Sequence, residues 1–130
     1  FLQQEFPQFN STIEAAGNRT ARVRYIVTEG DLRPSGTVSG PALFALADSA
    51  LYVAILAEIG IVALAVTTNM TINFMRRPDP TKDVIAECRL IKVGKQLIVG
   101  DVMMYSDGDD APIAHATGTY AIPPDSRKNL

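Results

Sequence analysis

Hydrophobic and polar positions divide this chain into one long apolar run and several alternating ones. Residues 42–57 are apolar or small almost without a break, and a single charge, Asp48, interrupts them. A helix apolar on every side has to be buried, in a core or in a membrane. Gly40 reads as its N-cap, with Pro41 at the first helical position, where a missing N–H costs nothing; Gly60 is placed to end it. Ahead of this run, residues 12–16 and 21–28 flank the turn dipeptide Gly17-Asn18 and read as a hairpin. In its second half Val23, Tyr25 and Val27 alternate with Arg22, Arg24 and Ile26, one face buried and the other partly wet. Residues 29–38 hold Gly30, Pro34, Ser35 and Gly36 and predict a loop into the helix.

After the helix, residues 63–75 predict a long strand. Strict alternation puts Val66, Thr68, Met70, Ile72 and Phe74 on one face and Thr67, Asn69, Thr71 and Asn73 on the other. The second face is polar yet uncharged, which suits a lined cavity or an interface. Arg76-Arg77-Pro78-Asp79-Pro80 stops the strand. Residues 83–93, 96–105 and 111–121 read as three more strands, joined by a tight turn at Gly94-Lys95 and a longer one over 106–110. Residues 1–10 suit a short helical segment over the domain edge, and 123–130 a flexible tail. One helix cannot back a sheet of this size, so the sheet is expected to wrap around it. The fold class is α+β, an antiparallel sheet around one long central helix in a single domain, 1–130.

Composition narrows the chemistry. At 130 residues the chain can build a full core, and its net charge of −2 gives no reason to expect nucleic acid or an anionic membrane as partner. One cysteine, Cys88, excludes an intrachain disulfide and reads as a small core residue. One histidine, His115, argues against zinc, and Asp107, Asp109 and Asp110 lack the spacing of a calcium loop, so neither metal nor cofactor is expected. Residues 41–57 would reach only about 26 Å as a helix, with Asp48 near the centre, which argues against a membrane span. The first residues show no basic-then-apolar pattern, and a cytoplasmic location is the default expectation.

Three short motifs then carry a resemblance. Gly36-Thr37-Val38-Ser39-Gly40-Pro41 precedes Leu46-Ala47-Asp48; Thr67 leads to Asn73-Phe74-Met75-Arg76-Arg77-Pro78; Ala116-Thr117-Gly118-Thr119 lies in the last strand. In this order they resemble the hotdog-fold acyl-CoA thioesterases, in particular the PaaI-like, phenylacetate-pathway branch. The resemblance covers about residues 10–123. Two positions depart from the family pattern: Ser39 stands where a histidine is usual and Pro41 where a second glycine is usual. The resemblance implies hydrolysis of an acyl-CoA or aryl-CoA thioester by a homodimer, with homotetramers in many relatives.

The residues suggest the same chemistry. Thioester hydrolysis needs a base or nucleophile and a donor for the developing oxyanion. Asp48 is the candidate base or nucleophile, and the alternative for it is a carboxylate capped by backbone or by strand hydroxyls. Gly40, at a helix N-terminus with no side chain in the way, is the candidate oxyanion donor. Pro41 removes one backbone donor there and leaves the amides of Gly40 and Ala42. Gly40 and Asp48 lie eight positions apart, about 12 Å along a helix, so one helix cannot bring both to one carbonyl. Antiparallel helices from two subunits can, which predicts a dimer with two shared sites.

Thr67 is a candidate for positioning the water or the carboxylate. Asn69 and Asn73, placed on the same face, are weaker candidates, as is Ser39, whose hydroxyl can donate one hydrogen bond. Arg33 occupies a place where some relatives carry a polar helper. Arg76, Arg77, Lys92 and Lys95 sit at strand ends or turns where CoA phosphates can bind. The alternative from another class is a non-catalytic acyl-CoA or acyl-ligand binding protein, kept open by Ser39 and Pro41. A dehydratase reading is weaker, because such enzymes use a histidine near the helix and His115 is far from it in sequence.

Overall fold

The computed structural model describes residues 11–28, 38–60 and 65–123. The expected helical segment at 1–10, most of the loop with Arg33, and the tail lie outside them. Among the described residues six strands form one antiparallel sheet: β1 (Ser11–Gly17), β2 (Thr20–Tyr25), β3 (Val66–Phe74), β4 (Val84–Val93), β5 (Leu97–Ser106) and β6 (Ala114–Ala121). Their spatial order is β1-β2-β4-β5-β6-β3, so β3 is an edge strand bonded to β6 alone. The helix α1 (Gly40–Ile59) touches all six strands, β4 most of all.

The alternation read from the sequence sets the inner face. Ala21, Val23 and Tyr25 of β2, Val84, Ala86 and Cys88 of β4, and Val102 and Met104 of β5 are buried toward the helix. Leu46, Ala50, Leu51, Ala54 and Ile55 close the core from α1. Burial pushes the Cys88 thiol up to about 12, with a further contribution from the charge of Asp101, so it is an inert core group. The β1–β2 hairpin turns at Asn18 and Arg19, both at positive φ (52° and 61°), the geometry of a two-residue hairpin turn.

Three expectations are corrected. The N-cap is Ser39 rather than Gly40: the Ser39 side chain accepts from the Ala42 N–H at 3.2 Å, because a hydroxyl can cap and a glycine has none. Gly60 does end the helix, its N–H donating to the Leu56 carbonyl. The helix has 20 residues, about 30 Å, so length does not rule out a membrane span as supposed. What places it in a core is the sheet, since ten of its residues are buried against it. Finally, the faces of β3 do not alternate strictly. Thr67 pairs with Tyr120 and Asn69 with Thr119, leaving Thr68 as an extra residue in a β-bulge. Thr67, Met70 and Ile72 therefore face the helix, while Asn69, Thr71 and Asn73 face outward.

Candidate active site

Asp48 lies in the middle of α1, on the side facing β6 and the start of β3. It is half-buried rather than fully enclosed. Its Oδ1 accepts from the Thr67 hydroxyl at 2.8 Å and from the Tyr120 hydroxyl at 2.6 Å. The Tyr120 oxygen also lies 3.3 Å from the Asp48 carbonyl. Both donors come from adjacent strands, at positions paired across the β3–β6 ladder. Capping by strand hydroxyls is thus real, but for one oxygen only: Oδ2 has no partner among the described residues.

Tyr120 is the residue that sequence reasoning missed. It lies one position beyond the quoted Ala116–Thr119 motif, and the β6 alternation that buries Ala114 and Ala116 also turns Tyr120 inward. Its ring stacks on Tyr52 with centroids 5.9 Å apart. Burial, then the Asp48 charge beside it, pushes the phenol above its ordinary value, so it remains a donor.

The second feature is the start of the helix. Pro41 has no N–H, the Ala42 N–H is taken by Ser39 Oγ, and the Leu43 N–H donates to the Ser39 carbonyl. Only Gly40 then offers a donor in this turn, its N–H having no partner among the described residues. Beside it opens a groove of about 430 Å³ lined by Gly40, Leu43, Phe74, Met75, Arg76 and Arg77, among others. A Cβ on residue 40 would meet the Phe74 ring at 3.3 Å. The ring is 55% exposed and forms one wall.

The remaining candidates divide clearly. Thr67 is on Asp48, and Ser39 and Arg76 flank the groove or the helix start. Asn69 and Asn73 are exposed on the outer face, opposite Thr67, because the bulge at Thr68 changes the parity of β3. Lys95 is exposed in the β4–β5 turn. Val66 and Leu97 both pair with Ala121, which puts that turn at the end of the sheet where β3 begins, away from Arg76. Arg33 lies outside the described residues. His115 pairs with Asp101 at 3.3 Å on the outer face, across the sheet from Asp48. A second groove of about 430 Å³ on that face holds Arg22, Glu87, Tyr105 and Asp107 and none of these groups. Its side chains are largely committed to ion pairs, such as Arg22–Glu87 and Arg24–Asp107, both at 2.8 Å.

One long helix enclosed by a six-stranded antiparallel sheet is the hotdog fold, and the chain belongs to the thioesterase superfamily, whose profile matches residues 35–113. Among solved structures, a candidate thioesterase from Silicibacter sp. TM1040 is 46% identical over 95% of this chain and 87% of its own, with a TM-score of 0.87. The PaaI protein of the E. coli phenylacetic acid degradation operon shares the fold at 24% identity and a TM-score of 0.82, covering 92% of this chain and 84% of its own. A hypothetical thioesterase from Streptococcus pneumoniae TIGR4, solved with coenzyme A, shares it at 20% identity and 0.81, over 93% and 96%. No curated protein matches the chain in sequence.

Proposed function

We propose that this protein is an acyl-CoA thioesterase, hydrolysing a CoA thioester to free acid and CoA at a site shared by two copies of the chain. The observation that carries the reading is the asymmetry of Asp48: Oδ1 is held by two hydroxyls while Oδ2 has no partner among the described residues. The Gly40 N–H, at the positive end of α1 and without a partner among the described residues, is the matching donor for an oxyanion. The family membership and the coenzyme A held by the Streptococcus pneumoniae neighbour support the substrate class. Arg76 and Arg77 on the groove rim suit the CoA phosphates.

Two balanced routes use these groups. As a general base, Oδ2 takes a proton from water and the hydroxide adds to the thioester carbonyl. The oxyanion forms against Gly40 N–H, the C–S bond breaks, and the thiolate takes the proton back from Asp48. As a nucleophile, Oδ2 itself adds to the carbonyl and the C–S bond breaks to a mixed anhydride and CoA thiolate. Water then hydrolyses the anhydride and restores Asp48. Label in Asp48 after a single turnover in ¹⁸O water establishes the second route with water adding to the Asp48 carbonyl of the anhydride, since the first route cannot place label there.

Spacing supports the two-fold arrangement. Gly40, Phe44 and Asp48 recur every four residues and lie along one stripe of α1. Phe44 is its midpoint and is 40% exposed. An axis at Phe44 brings Gly40 of one copy opposite Asp48 of the other. The same axis runs the free β3 edges antiparallel, so that the Phe74 end meets the partner's Val66 end, near which Lys95 lies.

The test is turnover over a panel of acyl- and aryl-CoA thioesters. Wild type is expected to hydrolyse at least one, and Asp48→Asn to lose about 10²- to 10⁴-fold in kcat. The binding-protein reading draws on the Ser39 cap, which leaves a single amide donor at the helix start. Tight binding of CoA esters with no turnover by wild type establishes that reading instead.

A further inference from the structure

We propose that Tyr120 is a positioning residue that selects which oxygen of Asp48 reacts, an inference that rests on the thioesterase reading above. A free carboxylate presents two equivalent oxygens and turns about its Cβ–Cγ bond with little resistance. Here Oδ1 takes two hydroxyl donors, at 2.6 Å from Tyr120 and 2.8 Å from Thr67. Hydrogen bonds to a charged acceptor are the short, strong ones, and the Tyr120 contact is the shorter of the pair. An oxygen so occupied is a poorer base and nucleophile, because its lone pairs are committed. The proton of water, or the thioester carbon, is left to Oδ2.

Tyr120 is better placed than Thr67 to enforce this. Its side chain is among the buried ones, 3% exposed, and its ring is fixed by stacking on Tyr52. Tyr52 lies one turn beyond Asp48 on α1, so helix and strand are joined at ring and hydroxyl together. Tyr120 is also set by two ladders, pairing with Thr67 on β3 and Ile98 on β5. Thr67 belongs to the edge strand and sits beside the bulge. Burial and the neighbouring Asp48 charge raise the phenol above its ordinary value, which favours the protonated, donating form beside the carboxylate. A buried phenol hydroxyl needs an acceptor in any case; what supports a positioning role is the oxygen it takes, the same Oδ1 that Thr67 holds.

The experiment measures kcat and KM for wild type, Asp48→Asn, Tyr120→Phe and Thr67→Val, using the acyl-CoA that wild type turns over fastest. Tyr120→Phe keeps the ring and its stacking, and unfolding curves confirm the fold. Its kcat is expected to fall about 10- to 100-fold, the range spanned by one hydrogen bond to a charged group, with KM unchanged within about twofold. Thr67→Val, the second and independent variant, is expected to lose less in kcat. If Asp48→Asn is inactive while Tyr120→Phe keeps the wild-type kcat, or changes KM alone, the positioning role is overturned and the thioesterase reading stands. The positioning role is equally overturned if Thr67→Val alone lowers kcat. If wild type hydrolyses no thioester, the reading fails and takes the inference with it.

Discussion

Gly40 has two jobs that a single methyl group separates. As the first residue of α1 it needs only helical backbone, which alanine adopts at least as well. As the neighbour of Phe74 it needs open space, and a Cβ there would meet the ring at 3.3 Å. Gly40→Ala is therefore expected to leave stability within about 0.5 kcal/mol, since the half-exposed ring can give way. The same substitution should lower kcat/KM by tenfold or more, because the methyl and the displaced ring crowd the free amide of the turn. Urea unfolding and steady-state kinetics on one preparation check both halves. Ser39 behaves in the opposite sense. Removing its hydroxyl in Ser39→Ala uncaps the Ala42 N–H and should cost about 1 kcal/mol of stability, read from the same unfolding curves. How visible each residue was in the sequence follows from what its role depends on. Asp48 stood out because a charge in an apolar run needs a reason that is local to the chain. Tyr120 did not, because its contact with Asp48 depends on a strand register 72 positions away.

Periodicity disclosed the six strands and the helix because burial on one face repeats every second residue in a strand and covers every side of an enclosed helix. It misjudged β3 at one residue, Thr68, since a bulge leaves no mark in an alternating pattern of small polar side chains. That residue decides whether Asn69 and Asn73 share a face with Thr67, and Thr67 was grouped with the two asparagines for this reason alone. Close packing of helix on sheet was equally hidden. Gly100 and Gly118 are paired across β5 and β6, and a Cβ on either would lie 2.7 or 2.6 Å from a Leu51 methyl. Leu51 is 1% exposed, so making room for the methyl means shifting a buried core side chain. Gly118→Ala should thus cost about 1–3 kcal/mol by overpacking. Leu51→Ala should cost about 2–5 kcal/mol through the cavity it leaves. Because the added methyl occupies part of that cavity, the double variant should be more stable than the sum of the two losses allows, and a double-mutant cycle by denaturant titration measures the difference.

Two properties belong to the molecule as a whole. On the outer face Arg24 joins Glu14 of β1 to Asp83, just before β4, and to Asp107, just after β5. The Arg24 guanidinium, then that of Arg22, holds Glu14 below its ordinary 4.5, and Arg24 likewise holds Asp107 below 3.8. A carboxylate with a depressed value in the folded state stabilises the fold above its unfolded value and loses that contribution as pH falls through the folded one. The Tm difference between wild type and Arg24→Gln should accordingly be full above about pH 5 and close progressively below about pH 4. The second property is assembly. Phe44 lies at the middle of the Gly40–Asp48 stripe, partly exposed beside the open β3 edge. If two copies meet there, Phe44→Arg places two like charges at the axis. That variant should sediment as a folded, inactive monomer, since the core residues of α1 face the other way. Mixing supplies the stricter test. Asp48→Asn lacks the carboxylate proposed to react, and Gly40→Leu blocks the amide proposed to meet the oxyanion, so each alone should be inactive. Refolded together in equal amounts, about half the dimers are mixed, and each mixed dimer holds one intact site, giving about a quarter of wild-type activity. Independent sites within single chains predict no recovery at all, so the activity of the mixture decides whether one copy of the helix is a whole site or half of one.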